Sequence, residues 1–146
     1  MLKKINDRAR DIALSLPLIQ QFSFEDLEEA LTEKTINYPL LHLNTPAEVI
    51  IADCYKPYAD FKMEFFVFSL DKQFNSQERV DEWDKLEAIG WQFISEFVKE
   101  QSIAMLLSKR CVITRGHFEH QDSLIGIKFS TDIRFFENNC FKDNFC

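Results

Sequence analysis

Leu124-Ile125-Gly126-Ile127-Lys128-Phe129-Ser130-Thr131-Asp132-Ile133-Arg134-Phe135-Phe136 decides the fold. Side chains alternate across a β-strand, so every second residue shares a face. Here Ile125, Ile127, Phe129, Thr131, Ile133 and Phe135 share one face, and Gly126, Lys128, Ser130, Asp132 and Arg134 share the other. The pattern predicts a long strand that is apolar on one side and polar on the other. Upstream, Cys111 to Phe118 predicts a second strand, with His117-Phe118-Glu119-His120-Gln121-Asp122 as the polar hairpin region between the two.

A third strand is predicted from Phe61 to Leu70. Phe61, Met63, Phe65 and Val67 give one apolar face, while Phe66, Phe68 and Leu70 make the other face apolar too. A strand buried on both faces belongs in the middle of its sheet. Between these strands lies a long helical stripe of Val80, Trp83, Leu86, Ile89, Phe93, Ile94 and Phe97, predicting a helix over about 77–100. Asn75-Ser76-Gln77-Glu78 supplies its N-cap and an acidic first turn. Gly90 sits beside the stripe, where a missing side chain permits close approach to a sheet. Residues 101–108 lead out of this helix.

Toward the N-terminus, Leu2, Ile5, Ala9, Ile12 and Ala13 predict an amphipathic helix over residues 2–14, closed by Pro17. Residues 20–33 read two ways. Ser23-Phe24-Glu25-Asp26 resembles a capping box leading into Leu27, Ala30 and Leu31, whereas Phe22 and Phe24 alternate as in an edge strand. Tyr38 to Leu43 predicts a buried or edge strand limited by Pro39. Val49 to Ala52 is a short apolar stretch, and Lys56-Pro57 predicts a turn. The expected architecture is α+β: one domain over residues 1–146, with a mostly antiparallel sheet, one long helix packed across it and an N-terminal helix. Residues 137–146 read as a docking tail. Phe141 and Phe145 stand there in a polar stretch as candidate anchors for a partner, or for the chain's own core.

The chain has 146 residues with 46% hydrophobic and 28% charged, enough apolar material for a sizeable core. Fifteen phenylalanines are the unusual feature, and only three glycines occur, which argues against a Gly-rich phosphate loop. Formal net charge is −7. A sequence-independent nucleic-acid binder needs the opposite balance to displace counterions from phosphates. The charged start, Met1-Leu2-Lys3-Lys4-Ile5-Asn6-Asp7-Arg8, lacks the apolar run of a secretory signal, and no membrane span is expected. Cys54, Cys111, Cys140 and Cys146 contain no CxxC spacing and read as reduced thiols of a cytosolic setting, with Cys111 in the core.

No catalytic constellation is expected. His117 and His120, with Glu119 and Asp122 near, form an HxxH. On an extended strand, residues three apart point to opposite faces, so a solvated turn is expected there rather than a metal site. Glu78, Asp81, Glu82, Asp84 and Glu87 crowd the first turns of the long helix, away from its apolar stripe. A solvated or lumen-facing surface accounts for them better than a general acid–base dyad does. Nucleophile elbows, phosphate loops and dinucleotide glycine motifs are absent from the sequence. No metal and no cofactor are expected.

Two stretches carry a resemblance. Phe22-Ser23-Phe24-Glu25-Asp26-Leu27 and Lys34-Thr35-Ile36-Asn37-Tyr38-Pro39-Leu40-Leu41-His42-Leu43 resemble small virion proteins of tailed phages of Bacteroidetes-type hosts, crAss-like phages among them. In those, a "GD"-like turn precedes a K-T-x-[FY]-P-L-x-H strand; here Glu25 stands where glycine is expected. The element order is also similar to that of tail-terminator and head-to-tail connector proteins. The resemblance implies a non-enzymatic subunit of a closed ring, of about six or twelve copies, in contact with neighbouring connector or tail proteins. It implies a place in the virion, assembly in the host cytoplasm, and genomic DNA passing without specific binding or a membrane. Glu78, Asp81, Glu82, Asp84 and Glu87, with Asp132, are then the candidates for the lining of the DNA passage. The alternatives are a small cytosolic protein-binding or chaperone-like module and, third, an enzyme.

Overall fold

A computed structural model describes residues 1–32, 35–52, 57–119 and 122–136. The elements, in order, are α1 (Leu2–Ser15), β1 (Gln21–Ser23), α2 (Leu27–Leu31), β2 (Leu40–Leu43), β3 (Ile50–Ala52), β4 (Tyr58–Leu70), α3 (Ser76–Phe97), β5 (Ala104–Glu119) and β6 (Ser123–Phe136). The strands form one six-stranded sheet in the order β1-β2-β4-β6-β5, with β3 beside the first half of β4. Only the β1–β2 pairing is parallel. The expected α+β architecture stands: a mostly antiparallel sheet, an N-terminal helix, and the long helix packed on the sheet.

The alternation in β6 is realised. Ile125, Ile127, Phe129, Ile133 and Phe135 enter the main core together with Phe61, Met63, Phe65 and Val67 of β4. Both helices cover this face, α1 through Ile5, Ala9 and Ala13, and α3 through Leu86, Ile89, Phe93, Ile94 and Phe97. The centre of the contact is aromatic. Phe65 and Phe129 stack with centroids 4.9 Å apart, and Phe93 meets Phe65 edge-on at 4.7 Å. Gly90 makes this approach feasible, because a Cβ there would lie 2.1 Å from the Phe129 ring. The two helices are tied by Arg8, which donates to the Phe97 carbonyl at 2.8 Å and so satisfies an acceptor left open at the end of α3.

The opposite face of the sheet has two parts. At one end, Leu31, Leu40, Phe66, Phe68 and Leu124 form a smaller core that includes α2. Gly116 and Gly126 stand directly opposite each other there, and the space they leave holds Phe118, edge-on to Phe68 at 5.3 Å. The remainder is a polar ladder. Arg134 grips Asp60 through two hydrogen bonds of 2.8 and 2.9 Å, Lys128 pairs with Glu64 at 2.7 Å, and Asp132 stands in register with Lys62.

Several local expectations need correction. β5 begins at Ala104 rather than Cys111, so residues 104–108 already belong to the sheet, and a bulge between Leu106 and Cys111 absorbs the extra chain. That bulge breaks the alternation from which the strand start was read. Cys111 is half-buried against the main core instead of inside it. Val80 belongs to the helix but is 46% exposed, because the first turns of α3 extend beyond the main core. Both readings of residues 20–33 hold in part: β1 is an edge strand and α2 a short helix. The cap is Asp26, accepting from the Glu28 N–H at 2.8 Å, and not Ser23, which lies in β1. β2 starts after the cis Tyr38–Pro39 bond and lies between β1 and β4, buried at every position. Ile50 and Ile51 of β3 are exposed.

Candidate functional site

Glu78, Asp81, Glu82, Asp84 and Glu87 all lie on α3, and the fold gives them different work. Asn75 and Glu78 form a capping box: the Asn75 side chain accepts from the Glu78 N–H at 2.9 Å, and the Glu78 carboxylate accepts from the Asn75 N–H at 3.2 Å. Glu87 reaches β5 and pairs with Arg115 at 2.8 Å. Asp81 and Asp84 are exposed, and Glu82 is half-exposed. Glu78 and Glu87 therefore have structural partners in the cap and on β5, while exposed Asp81, which accepts from the Gln77 amide at 3.1 Å, and exposed Asp84 carry the outward negative charge. Asp132 does not join them. It lies on the polar face of the sheet, and α3 covers the other face. A channel lined by α3 and one lined by Asp132 are thus alternatives, since they present opposite sides of the sheet.

The histidine reading resolves in part. His117 Nε2 lies 2.8 Å from Asp71 Oδ2 and 3.0 Å from Ser123 Oγ, while Arg79 pairs with Asp71 at 3.2 Å. His120 lies outside the described residues. Asp71 is nearly buried, with its side chain 3% exposed. The Phe74 backbone N–H, helped by Arg79 and His117, holds its carboxyl below the usual carboxylate range despite that burial. Ser, His and Asp invite comparison with a nucleophilic triad. Such a triad needs the carboxylate on one ring nitrogen and the hydroxyl on the other, so that the imidazole can pass a proton between them. Here both partners meet Nε2, and the cluster works as a clasp joining the end of β4, the start of α3 and the β5–β6 hairpin. No group of three or more metal-ligating side chains occurs among the described residues. Nor is any described helix long and apolar enough to cross a membrane.

The motif region holds a buried polar pair that sequence reasoning did not single out. His42 is 1% exposed, and its Nδ1 lies 2.7 Å from Ser23 Oγ across the parallel β1–β2 ladder. Burial pushes its pKa down to about 4 against the weaker opposing pull of Asp26 and Asn44, so the ring is neutral near pH 7. Ser23 and His42 both belong to the stretches that carry the virion-protein resemblance, and their role is to hold the β1 edge onto the sheet. Lys34 of that motif lies outside the described residues, as do Phe141 and Phe145 of the proposed docking tail and Cys54, Cys140 and Cys146.

A groove of about 760 Å³ crosses the polar face of the sheet. Lys62, Glu64 and Asp132 are in its floor, the chain from Asn44 to Glu48 forms one wall, and Leu107 and Ser108 of the β5 bulge form the other. Its charged lining is Glu48, Asp60, Glu64 and Asp132 with Lys62; Arg134 and Lys128 of the ladder pair with Asp60 and Glu64, and Asp132 stands in register with Lys62.

Compared with known proteins, the chain matches no family model and no curated protein.

Proposed function

We propose that this chain is a structural, non-catalytic subunit of a tailed-phage particle, forming a ring with copies of itself at the head-to-tail connector or the tail end. One observation carries the reading. The sheet terminates in β5, a strand of 16 residues that pairs only with β6 among the described residues and is largely exposed along its length. Natural monomers keep such edges short, covered, or broken by bulges and charges; here the bulge with Lys109 and Arg110 interrupts only Leu106 to Cys111, and residues 112–119 keep an open row of N–H and C=O groups that pairs readily with another chain. The resemblance of the 22–27 and 34–43 stretches to small virion proteins supplies the setting.

In that setting α3 has a second use. Its exposed Asp81 and Asp84 would face the passage and let the duplex move without forming the cation–phosphate contacts that release counterions and add affinity. Virions purified from an infection in which the chain is expressed test the reading: it belongs among their structural proteins as a ring, and its absence from them contradicts the proposal. The groove over Lys62 and Asp132 favours a second reading, a module that binds an extended peptide. Capture of one peptide by the monomer, with no assembly, would select it.

A further inference from the structure

We infer that two copies of the free chain pair through β5, antiparallel about a two-fold axis at Thr114, so that one sheet runs across both. The inference concerns the chain before assembly and stands apart from the ring reading. Three features of the edge carry it: length, face and charge.

A strand that covers residues 112–119 must match their length. β1 and β3 offer three residues each. β2, β4 and β6 lie inside the sheet, with neighbours on both sides. Among the described strands, β5 of a second copy is the one that is both open and long enough.

Face limits the register. Residues directly opposite in an antiparallel pair share a face. From the pairing with β6, Cys111, Ile113, Arg115, His117 and Glu119 lie on the helix-covered face, and Val112, Thr114, Gly116 and Phe118 lie on the other. A one-residue slip would exchange the two faces, so odd residues must meet odd and even must meet even. A strand that pairs with itself in this way has one residue opposite itself. If that residue were Arg115, two guanidinium groups would be set against each other. If it were Gly116, Ile113 would face Glu119, and Lys109 and Arg110 would run past the end of the strand. If it were Ile113, Cys111 would face Arg115, and Glu119 would stand level with Leu107. Centring on Thr114 avoids all three. Val112, 54% exposed, then lies opposite the second copy's Gly116, against the Phe118 ring that leans over that glycine.

Charge agrees with the same register. The edge is basic at one end, with exposed Lys109 and Arg110, and acidic at the other, with exposed Glu119. Antiparallel pairing about Thr114 brings Lys109 level with the second copy's Glu119, and the two-fold axis repeats that contact at the far end. Parallel pairing would set like charges together at both ends. The contact is isologous and stops at two copies. In the free chain it covers the edge that ring neighbours would use, so it must part before a ring closes.

The test uses the full-length variants Lys109→Glu, Glu119→Lys and the two changes combined. Association is followed by sedimentation at low and high salt, and folding by circular dichroism. The parent chain should sediment as a dimer. Each single variant places like charges at both ends of the contact and should dimerise roughly tenfold more weakly at low salt, with the difference shrinking as salt rises. The combined variant exchanges the charges and should dimerise as the parent does. Thr114→Cys reports the register independently: the new thiols stand opposite each other within disulfide reach, so mild oxidation should yield more covalent dimer than the parent gives. A parent chain that stays monomeric at the highest attainable concentration overturns the pairing and leaves the ring reading to the particles. A purified parent that forms rings or filaments also overturns it, and supports the ring. Folded single variants that dimerise as the parent does, a combined variant that does not recover, or a Thr114→Cys chain that cross-links no more than the parent each contradict it.

Discussion

At the scale of single residues, the helix–sheet contact turns on Gly90, Phe93 and Phe129. Phe93→Ala removes a fully buried ring from the centre of the main core and should cost about 3–5 kcal/mol, read from a denaturant melt. Gly90→Ala is the complementary change. Its new Cβ would press on a ring already stacked against Phe65, and overpacking of this kind costs about 1–3 kcal/mol. Trp83 is the less sensitive position, because it is only half-buried, with its indole N–H shared between the Gly116 and Gly126 carbonyls at 3.3 and 3.2 Å. His42 makes a different prediction. Its pKa falls from an ordinary 6.5 to about 4 on folding. Between those values the unfolded chain binds the proton and the folded chain does not. His42 thus contributes stability that is full above pH 6.5 and is lost as pH falls toward 4, on the order of 3 kcal/mol over the window. Urea melts across that range should show the loss, and a His42→Gln variant should show a visibly flatter profile. Equal slopes would mean that the ring is not held neutral.

At the scale of elements, β6, β4 and α3 were legible because their burial repeats with the strand or helix period over many residues. Phe61 to Leu70 named a central strand from its two apolar faces, and the Asn75–Glu78 cap was readable from local chemistry alone. What failed was local irregularity. The residues between Leu106 and Cys111 follow neither period, because a bulge bends the strand away from its alternation, so β5 looked shorter than it is. The Asp71–His117–Ser123 clasp was illegible for another reason: the register of β5 on β6 brings together residues distant in the chain, and no sequence spacing encodes it. The acidic cluster was visible as composition, but its division was not. Glu78 caps and Glu87 pairs, leaving Asp81 and Asp84 as the outward charge of α3. Reversal of these two, Asp81→Lys with Asp84→Lys, touches neither the core nor the cap. Melting and ring assembly should therefore stay as in the parent, while genome release from particles slows or stops. Normal infectivity after reversal would place α3 away from the passage.

At the scale of the whole molecule, the sheet is closed over by helices on one face and left partly open on the other, with both edges unpaired among the described residues. One edge is short and acidic; the other is long and carries a basic bulge. The fold buries its main core under α1 and α3 and leaves a strand of 16 residues along one side of the sheet. Under the proposed function, repetition by rotation would cover that edge, at the head-to-tail connector or the tail end of a particle. Electron microscopy of virions purified from an infection in which the chain is expressed with a fused tag tests this most directly. The account predicts label at the head-to-tail junction or the tail end, arranged as a closed ring whose neighbouring copies meet edge to edge. Particles from which the chain is absent would contradict it.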